Sequence, residues 1–192
     1  MRWKKVLNAG LCSALAIAIT LSSGLVDAVG GLTKVSAAGA EINWALGKPY
    51  TSSVPENYYH SNNDPDLTKF TDGVYGTDWD VNTVGFYAKP PAEGPQTFVM
   101  ILGEQNYPIK RVVVSGFAYV GAGIGSCDVL VEYQTAEMLG TDQWASATSL
   151  SATNSDGAYD LSAEIDIGAA QVRFTVSGTH TWTFLDEIEL WG

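Results

Sequence analysis

The C-terminal stretch FLDEIELWG, Phe184–Gly192, decides the fold of this chain. Acidic and apolar residues alternate along it, which is the rhythm of a β-strand with one buried face. Its aliphatic residues can all face a core only if a local bend shifts the register after Leu185. They are Leu185, Ile188 and Leu190. Glu187 and Glu189 then share the opposite face, so the stretch predicts a bulged strand that holds two carboxylates beside the core.

Short β-branched and aromatic runs, separated by Gly, Pro, Asn and Asp, continue this pattern upstream. The predicted strands are Gln96–Leu102, Ile109–Ala118, Asp128–Gln134, Trp144–Leu150, Ala158–Ile165, Gln171–Ser177 and Trp182–Trp191. Seven or eight strands at this spacing indicate an all-β chain, folded as an antiparallel β-sandwich or jelly roll. The segment Tyr50–Asp66 is predicted to be a long loop, and long loops on a stiff sandwich often carry function.

The N-terminus has the pattern of an export signal. Three basic residues precede the mostly apolar stretch Val6–Val26, and small residues follow it. Val35-Ser36-Ala37 is a suitable cleavage site, although cuts after Ala28 or Ala40 stay open. A membrane anchor is the alternative, but polar and small residues interrupt the apolar stretch.

We therefore expect residues 1–37 to be a signal peptide, 38–42 a short linker and 43–192 a single domain. The domain would be secreted or extracellular, either free or associated with the cell surface. After cleavage we expect no membrane insertion.

The acidic composition limits the partners of the domain. The whole chain has net charge −11, and removal of four bases and one acid with residues 1–37 leaves six bases against twenty acids. Such a surface repels nucleic acid and anionic membranes, and it suits neutral polymers and divalent cations. Cys127 is the one cysteine after residue 37, so no intramolecular disulfide is expected and a buried, hydrophobic role is predicted for it. We expect a monomer.

Residue types for catalysis are sparse. The chain has two histidines and no G-x-S-x-G nucleophile motif, and none of its carboxylates forms a recognisable glycosidase pair in the sequence. The sequence therefore predicts a protein that is not an enzyme.

A second acidic segment, FTDGVYGTDWD (Phe70–Asp80), can complement the carboxylates of the last strand. Calcium takes 6–8 oxygen ligands and accepts carboxylates and carbonyls together. Gly73 and Gly76 permit the tight winding that turns successive oxygens toward an ion. The alternative is that Asp72-Gly73 forms a simple turn and that the acids are solvated.

The loop ENYYHSNND, Glu56–Asp64, has the residue types that hold sugars. Proteins stack an aromatic ring on the apolar face of a sugar and surround its hydroxyls with amides, carboxylates or histidine. The candidate carbohydrate-binding residues are Tyr58, Tyr59, His60, Asn62 and Tyr119. Phe86, Tyr87 and the turn His180–Trp182 are expected at the same end of the sandwich. For each aromatic residue the alternative is packing within the loop or core.

Four motifs follow one another across nearly all of Asn43–Gly192. They are NWALGKPYTSS (Asn43–Ser53), FTDGVYGTDWD (Phe70–Asp80), TFVMILGEQNYPIKRVVVSGF (Thr97–Phe117) and DEIELWG (Asp186–Gly192). In this order and spacing they resemble the discoidin fold, which is shared by coagulation factor type C domains and family 32 carbohydrate-binding modules. Two positions depart from the family pattern: Ile101 stands where Asp is frequent, and Asp78 stands where Arg commonly precedes the tryptophan.

The resemblance implies a discoidin-like jelly roll with a structural calcium ion. Carried over by residue, Asp72 supplies a carboxylate, Thr77 a hydroxyl and a carbonyl, Asp186 a backbone carbonyl and Glu187 a second carboxylate. The missing disulfide favours the bacterial, sugar-binding branch. The resemblance thus implies an exported, non-catalytic module that binds a polysaccharide or glycan. The alternative is a cell-surface adhesion or structural module that binds a protein partner.

Overall fold

The computed structural model describes residues 40–54, 62–76, 82–88, 94–153 and 155–192. Contacts between residues group Gly39–Gly192 into one unit. The predicted signal peptide lies outside the described residues. In the described part of the chain, no helix has the length and apolar character needed to cross a membrane.

Ten β-strands and two short 3₁₀ turns make up the described structure. The strands are β1 (Tyr50–Ser52), β2 (Val84–Phe86), β3 (Gln96–Ile101), β4 (Tyr107–Ala118), β5 (Ile124–Gly125), β6 (Cys127–Gln134), β7 (Ala145–Leu150), β8 (Gly157–Ala169), β9 (Gln171–Gly178) and β10 (Trp182–Trp191). The 3₁₀ turns are Val120–Ala122 and Ala136–Met138.

The strands form two sheets that pack face to face. Sheet I has the order β1-β3-β9-β6-β7, and sheet II has the order β2-β10-β4-β8, with β5 pairing with the start of β10. All pairs are antiparallel except β5 with β10. The prediction of an all-β, antiparallel sandwich is therefore confirmed.

All seven predicted strands are present, and they differ from the observed strands mainly at their ends. The largest difference is β8, which continues to Ala169, beyond the predicted end at Ile165. Three strands of two or three residues, β1, β2 and β5, were not predicted because so few residues cannot show an alternating pattern. The prediction of a loop from Tyr50 is wrong for Tyr50–Ser52, which pair with β3.

The last strand has the predicted bulge. The register of β10 against β4 shifts between Leu185 and Glu187, so Glu187 lies opposite Ser115 and Glu189 lies opposite Val113. The three aliphatic side chains of this strand are all buried, with exposed fractions of 1% or less. One extra residue in a bulged strand restores the inward direction of the following side chains.

Phenylalanine rings fill the centre of the sandwich. The Phe70 and Phe98 rings meet edge to face at 4.9 Å, and Phe86 contacts Phe98 at 5.2 Å. Phe86 is fully buried, so the expectation that it lies among the binding loops is wrong. Cys127 is also fully buried, as predicted, and burial raises the pKa of its thiol to about 12.

A test of the sheet packing is available at Gly116 in β4. A β-carbon there would collide with the Phe184 carbonyl oxygen and lie 2.8 Å from the Tyr159 hydroxyl. We expect Gly116→Ala to lower the free energy of unfolding by roughly 1–3 kcal/mol, measured by urea denaturation, because backbone atoms cannot yield as a side chain does.

Gly121→Ala is the matched control. Its nearest neighbour would be the Tyr119 ring at 3.5 Å, an ordinary contact, so we expect a change within about 0.5 kcal/mol. Equal stability of the two variants would contradict the close approach of β4 to β10.

Candidate functional site

One end of the sandwich gathers several connecting segments. β1, β2, β4 and β9 all finish at this end, and β10 begins there, as the strand registers show. We call it the loop-bearing end. Its described segments are 53–54, 87–88, 94–95, 119–123, 151–153, 155–156 and 179–181.

An aromatic pair stands at the loop-bearing end. The rings of Tyr87 and Trp182 lie 3.6 Å apart, centroid to centroid, with planes inclined by 32°. Both side chains are half-buried. Trp182 is held by pairing of its backbone with Ile124, and Tyr119 forms a bridge to that same residue. The 45%-exposed Tyr119 therefore lies one backbone segment from Trp182.

Polar groups accompany these rings. The Thr179 hydroxyl donates to the Ser126 carbonyl at 2.8 Å and lies 3.1 Å from His180 Nδ1. Asp156 accepts a hydrogen bond from the Val120 N–H at 2.8 Å, which fixes the turn after Tyr119. The end thus combines aromatic surface with an imidazole and a carboxylate, the groups that bind hydroxylated ligands.

The predicted carbohydrate-binding residues fall into three groups. Tyr58, Tyr59 and His60 lie outside the described residues, and Tyr119 is exposed at the loop-bearing end. Asn62 is 3% exposed, and its Nδ2 donates to Thr83 Oγ1 at 2.9 Å. The prediction that Asn62 contacts a ligand is corrected, because its amide is used inside the fold.

A second feature lies half-way along β10. The segment 72–76 runs beside the bulge of that strand, and its backbone N–H groups donate to two consecutive carboxylates. Gly73 N–H donates to both Glu187 oxygens at 3.2 Å, and Gly76 N–H donates to Asp186 Oδ2 at 3.0 Å. Glu187 is fully buried and Asp186 is 3% exposed. The distant acidic stretches of the sequence are therefore in contact.

The rest of this segment is also tied to sheet II. Asp72 is exposed, and its Oδ1 accepts from the Val74 N–H at 2.8 Å, which closes an Asx turn. The Tyr75 hydroxyl donates to Glu189 Oε1 at 2.5 Å, and Trp191 Nε1 donates to Glu189 Oε2 at 2.9 Å. Glu189 thereby links the segment to the final residues of the chain.

Burial changes the acidity of both carboxyls at the bulge. It raises the pKa of Glu187 to about 8; the Gly73 N–H opposes this, and the negative charge of Asp72 adds to it. Burial also raises the pKa of Asp186 to about 6, against the N–H groups of Glu187 and Gly76, and the charge of Asp160 adds to the increase. A positive ion at this position would remove the cost of ionising both groups.

The donor set fits a hard cation. Asp186 Oδ1 is buried and has no hydrogen-bond partner among the described residues, so it offers a free lone pair beside Glu187. Within the described ranges, no three side chains of His, Cys, Asp or Glu are close enough to hold a metal by themselves. An ion would therefore need carbonyl or water oxygens as well, which calcium accepts. Thr77, the fourth predicted ligand, lies outside the described residues.

The structure adds members that the sequence analysis did not identify. Ser115 lies opposite Glu187, and its hydroxyl donates to Asp160 Oδ1 at 2.6 Å. Asp186 was predicted to offer its backbone carbonyl, yet its side chain also turns toward the segment 72–76. No sequence signal could find Ser115 or Asp160, because only strand pairing places them near the bulge.

Comparison with known proteins supports the fold. No protein-family model and no curated protein sequence matches the chain. Many solved structures do match it, and three of them illustrate the likeness. A family 32 carbohydrate-binding module of Clostridium perfringens, in complex with GalNAc-β-1,3-galactose, has a TM-score of 0.52 at 15% identity, over 76% of this chain and 96% of its own.

The other two are bacterial binding modules. A chitosan-binding module from a Paenibacillus chitosanase/glucanase has a TM-score of 0.50 at 18% identity, over 79% of this chain and 99% of its own. A fucose-binding module of Streptococcus pneumoniae has a TM-score of 0.51 at 15% identity, over 80% of this chain and 96% of its own. The class of fold is therefore the discoidin-like, galactose-binding-like β-sandwich of these modules. This chain has that fold with little sequence identity to them.

The raised pKa values of Asp186 and Glu187 predict that stability depends on pH in the presence of a chelator. The unfolded carboxyls lose their protons near pH 4, whereas the folded Asp186 and Glu187 keep theirs to about pH 6 and 8. The unfolded state then binds fewer protons across this window. The free energy of unfolding should fall as pH rises from 4.5 to 8, by an amount on the order of a few kcal/mol.

The measurement is urea denaturation in EDTA at several pH values. Glu187→Gln should remove most of the decrease in the free energy of unfolding between pH 4.5 and 8, because an amide cannot ionise. The exposed Glu104→Gln should leave it unchanged. Stability that rises over this pH range in the unsubstituted protein would show that the two carboxyls are not held as described.

Proposed function

We propose that this protein is a non-catalytic carbohydrate-binding module that holds a glycan at the loop-bearing end. The observation that carries the proposal is the contact of Tyr87 with Trp182, with Tyr119 on the adjacent segment. Flat rings at the end of a rigid sandwich match the apolar faces of sugars. On the basis of the sequence, we include Tyr58, Tyr59 and His60 in the proposed site.

The similar structures support this class of ligand. The three modules bind GalNAc-β-1,3-galactose, chitosan and fucose, respectively. For this chain we propose a glycan rich in hydroxyls, because His180 and Asp156 lie on segments of the same loop-bearing end. Binding through a single shallow site is weak, so several copies on one surface would increase the avidity.

We also propose that calcium binds at the bulge of β10 as a structural ion. Asp186 and Glu187 would hold it through their carboxylates, and backbone, hydroxyl or water oxygens at Asp72 and Thr77 would complete its ligand set. The buried and unpartnered Asp186 Oδ1 supports this assignment. A bound calcium ion would supply positive charge that allows both buried carboxyls to ionise and joins the segment 72–76 to the last strand.

Calcium binding is measurable by isothermal titration calorimetry and by thermal unfolding. At a calcium concentration about 100 times the dissociation constant, the stabilisation should be about 2.7 kcal/mol. Glu187→Gln should weaken binding at least tenfold, because it removes a charged ligand, whereas Glu104→Gln should bind as the unsubstituted protein does. Unchanged unfolding in calcium and in EDTA would refute the site.

Glycan binding is best tested on a glycan array with the calcium-loaded domain. Trp182→Ala and Tyr119→Ala should each weaken binding about tenfold, equivalent to ~1.4 kcal/mol, because they remove aromatic surface at the loop-bearing end. Trp144→Ala is the matched control: Trp144 packs under Arg173 at 4.2 Å, beside the opposite end of sheet I. An array without binding, or equal losses in all three variants, would refute the proposed site.

We propose export through residues 1–37, which leaves a secreted or surface-associated monomer.

The second candidate function is adhesion to a protein partner. Exposed apolar side chains favour it: Leu46, Val74 and Tyr75 are 46–56% exposed, and Leu46 approaches Gly73. A negative glycan array, together with protein binding that Leu46→Asp abolishes, would favour this candidate.

We infer no catalysis, and release of reducing sugar by the pure domain would overturn that inference.

A further inference from the structure

One rung of sheet II aligns three polar side chains. Asp160 of β8 lies opposite Ser115 of β4, and Ser115 lies opposite Glu187 of β10. Directly opposed residues of antiparallel strands project from the same face of the sheet. The rung therefore runs from an exposed carboxylate, through a hydroxyl, to the buried carboxylate of the proposed calcium site.

Ser115 fixes the position of Asp160. The hydroxyl is on a side chain that is only 2% exposed, and it donates to Asp160 Oδ1 at 2.6 Å. A short hydrogen bond to a carboxylate is stronger than one between neutral groups. Asp160 therefore points along the rung toward β10 and does not extend freely into solvent.

The carboxylates of this face have no cationic partner among the described residues. The ion pairs of the described chain join Lys110 to Asp166, Arg111 to Glu41 and Arg173 to Glu132. None of them involves the carboxylates around the bulge. These are Asp72, Asp160, Asp186, Glu187 and Glu189. The negative charge of Asp160 helps to raise the pKa of Asp186, and that of Glu189 helps to raise the pKa of Glu187.

We propose that Asp160, held in place by Ser115, increases the cation affinity of the site at the β10 bulge. Its negative charge would attract the ion from a distance without coordinating it. This inference rests on the proposed calcium site. Two strand spacings separate β8 from β10, about 10 Å, so Asp160 is too far away to be a ligand. At that distance a unit charge attracts a divalent ion through water strongly enough to change affinity about threefold to tenfold.

Asp160→Asn tests the proposal. Asparagine can still accept the Ser115 hydrogen bond, so the variant removes charge and retains shape. We expect its calcium dissociation constant, measured by calorimetry at 10 mM salt, to rise about threefold to tenfold. At 1 M salt the difference should nearly vanish, because the Debye length falls to about 3 Å. Loss of a direct ligand would persist at high salt.

Glu164→Gln is the matched control. Glu164 lies on β8 opposite Arg111, on the same face but farther from the bulge. Its removal should change the calcium affinity less than twofold. Ser115→Ala should give an intermediate weakening, because Asp160 keeps its charge but loses its anchor.

The free energy of unfolding in EDTA distinguishes an effect of Asp160 on calcium affinity from an effect on the fold itself. Removal of a repelling charge should leave Asp160→Asn as stable as the unsubstituted protein or more stable, while the stabilisation by calcium becomes smaller. Lower stability in EDTA with unchanged calcium affinity would overturn the proposal. Failure of the unsubstituted protein to bind calcium would instead refute the proposed site itself.

Discussion

Two adjacent carboxyls, Asp186 and Glu187, are buried in the middle of the last strand, and much of the structure depends on how they are satisfied. The β10 bulge turns both toward the segment 72–76, whose glycine N–H groups bind them. Buried carboxylates are costly unless hydrogen bonds or an opposite charge compensate them. The contact also joins two parts of the chain that are more than one hundred residues apart, so it closes the sandwich at the edge of β10.

β10 connects the two features of the molecule. Trp182, at its start, belongs to the loop-bearing end, and Asp186 lies four residues further along, about 13 Å away. Trp182 therefore stands on a strand that the carboxyl contacts hold in register. A cation at the proposed site on β10 would therefore stiffen the strand without contacting a glycan at the loop-bearing end.

Sheet periodicity made most of the fold predictable. β6 shows it clearly, because Val129 and Val131 are buried while Asp128 and Leu130 are exposed. The β10 bulge was also predictable, since without it Leu185 and Ile188 would lie on opposite faces. β1, β2 and β5 were not predictable, because hydrogen bonds to longer strands define them and two or three side chains carry no period. The prediction of an exposed Phe86 was wrong for the same reason: β2 buries every residue it has.

The sequence by itself determined the fold class and the bulged last strand, because these follow from alternation and from motifs that are local in the chain. Only the tertiary structure decided that Asn62 is buried, that Tyr87 contacts Trp182 and that Asp160 stands two strands from Glu187. Those relations depend on which strands become neighbours and on their register. The same residue patterns are compatible with many pairings, and one pairing is selected by the packing of the whole core.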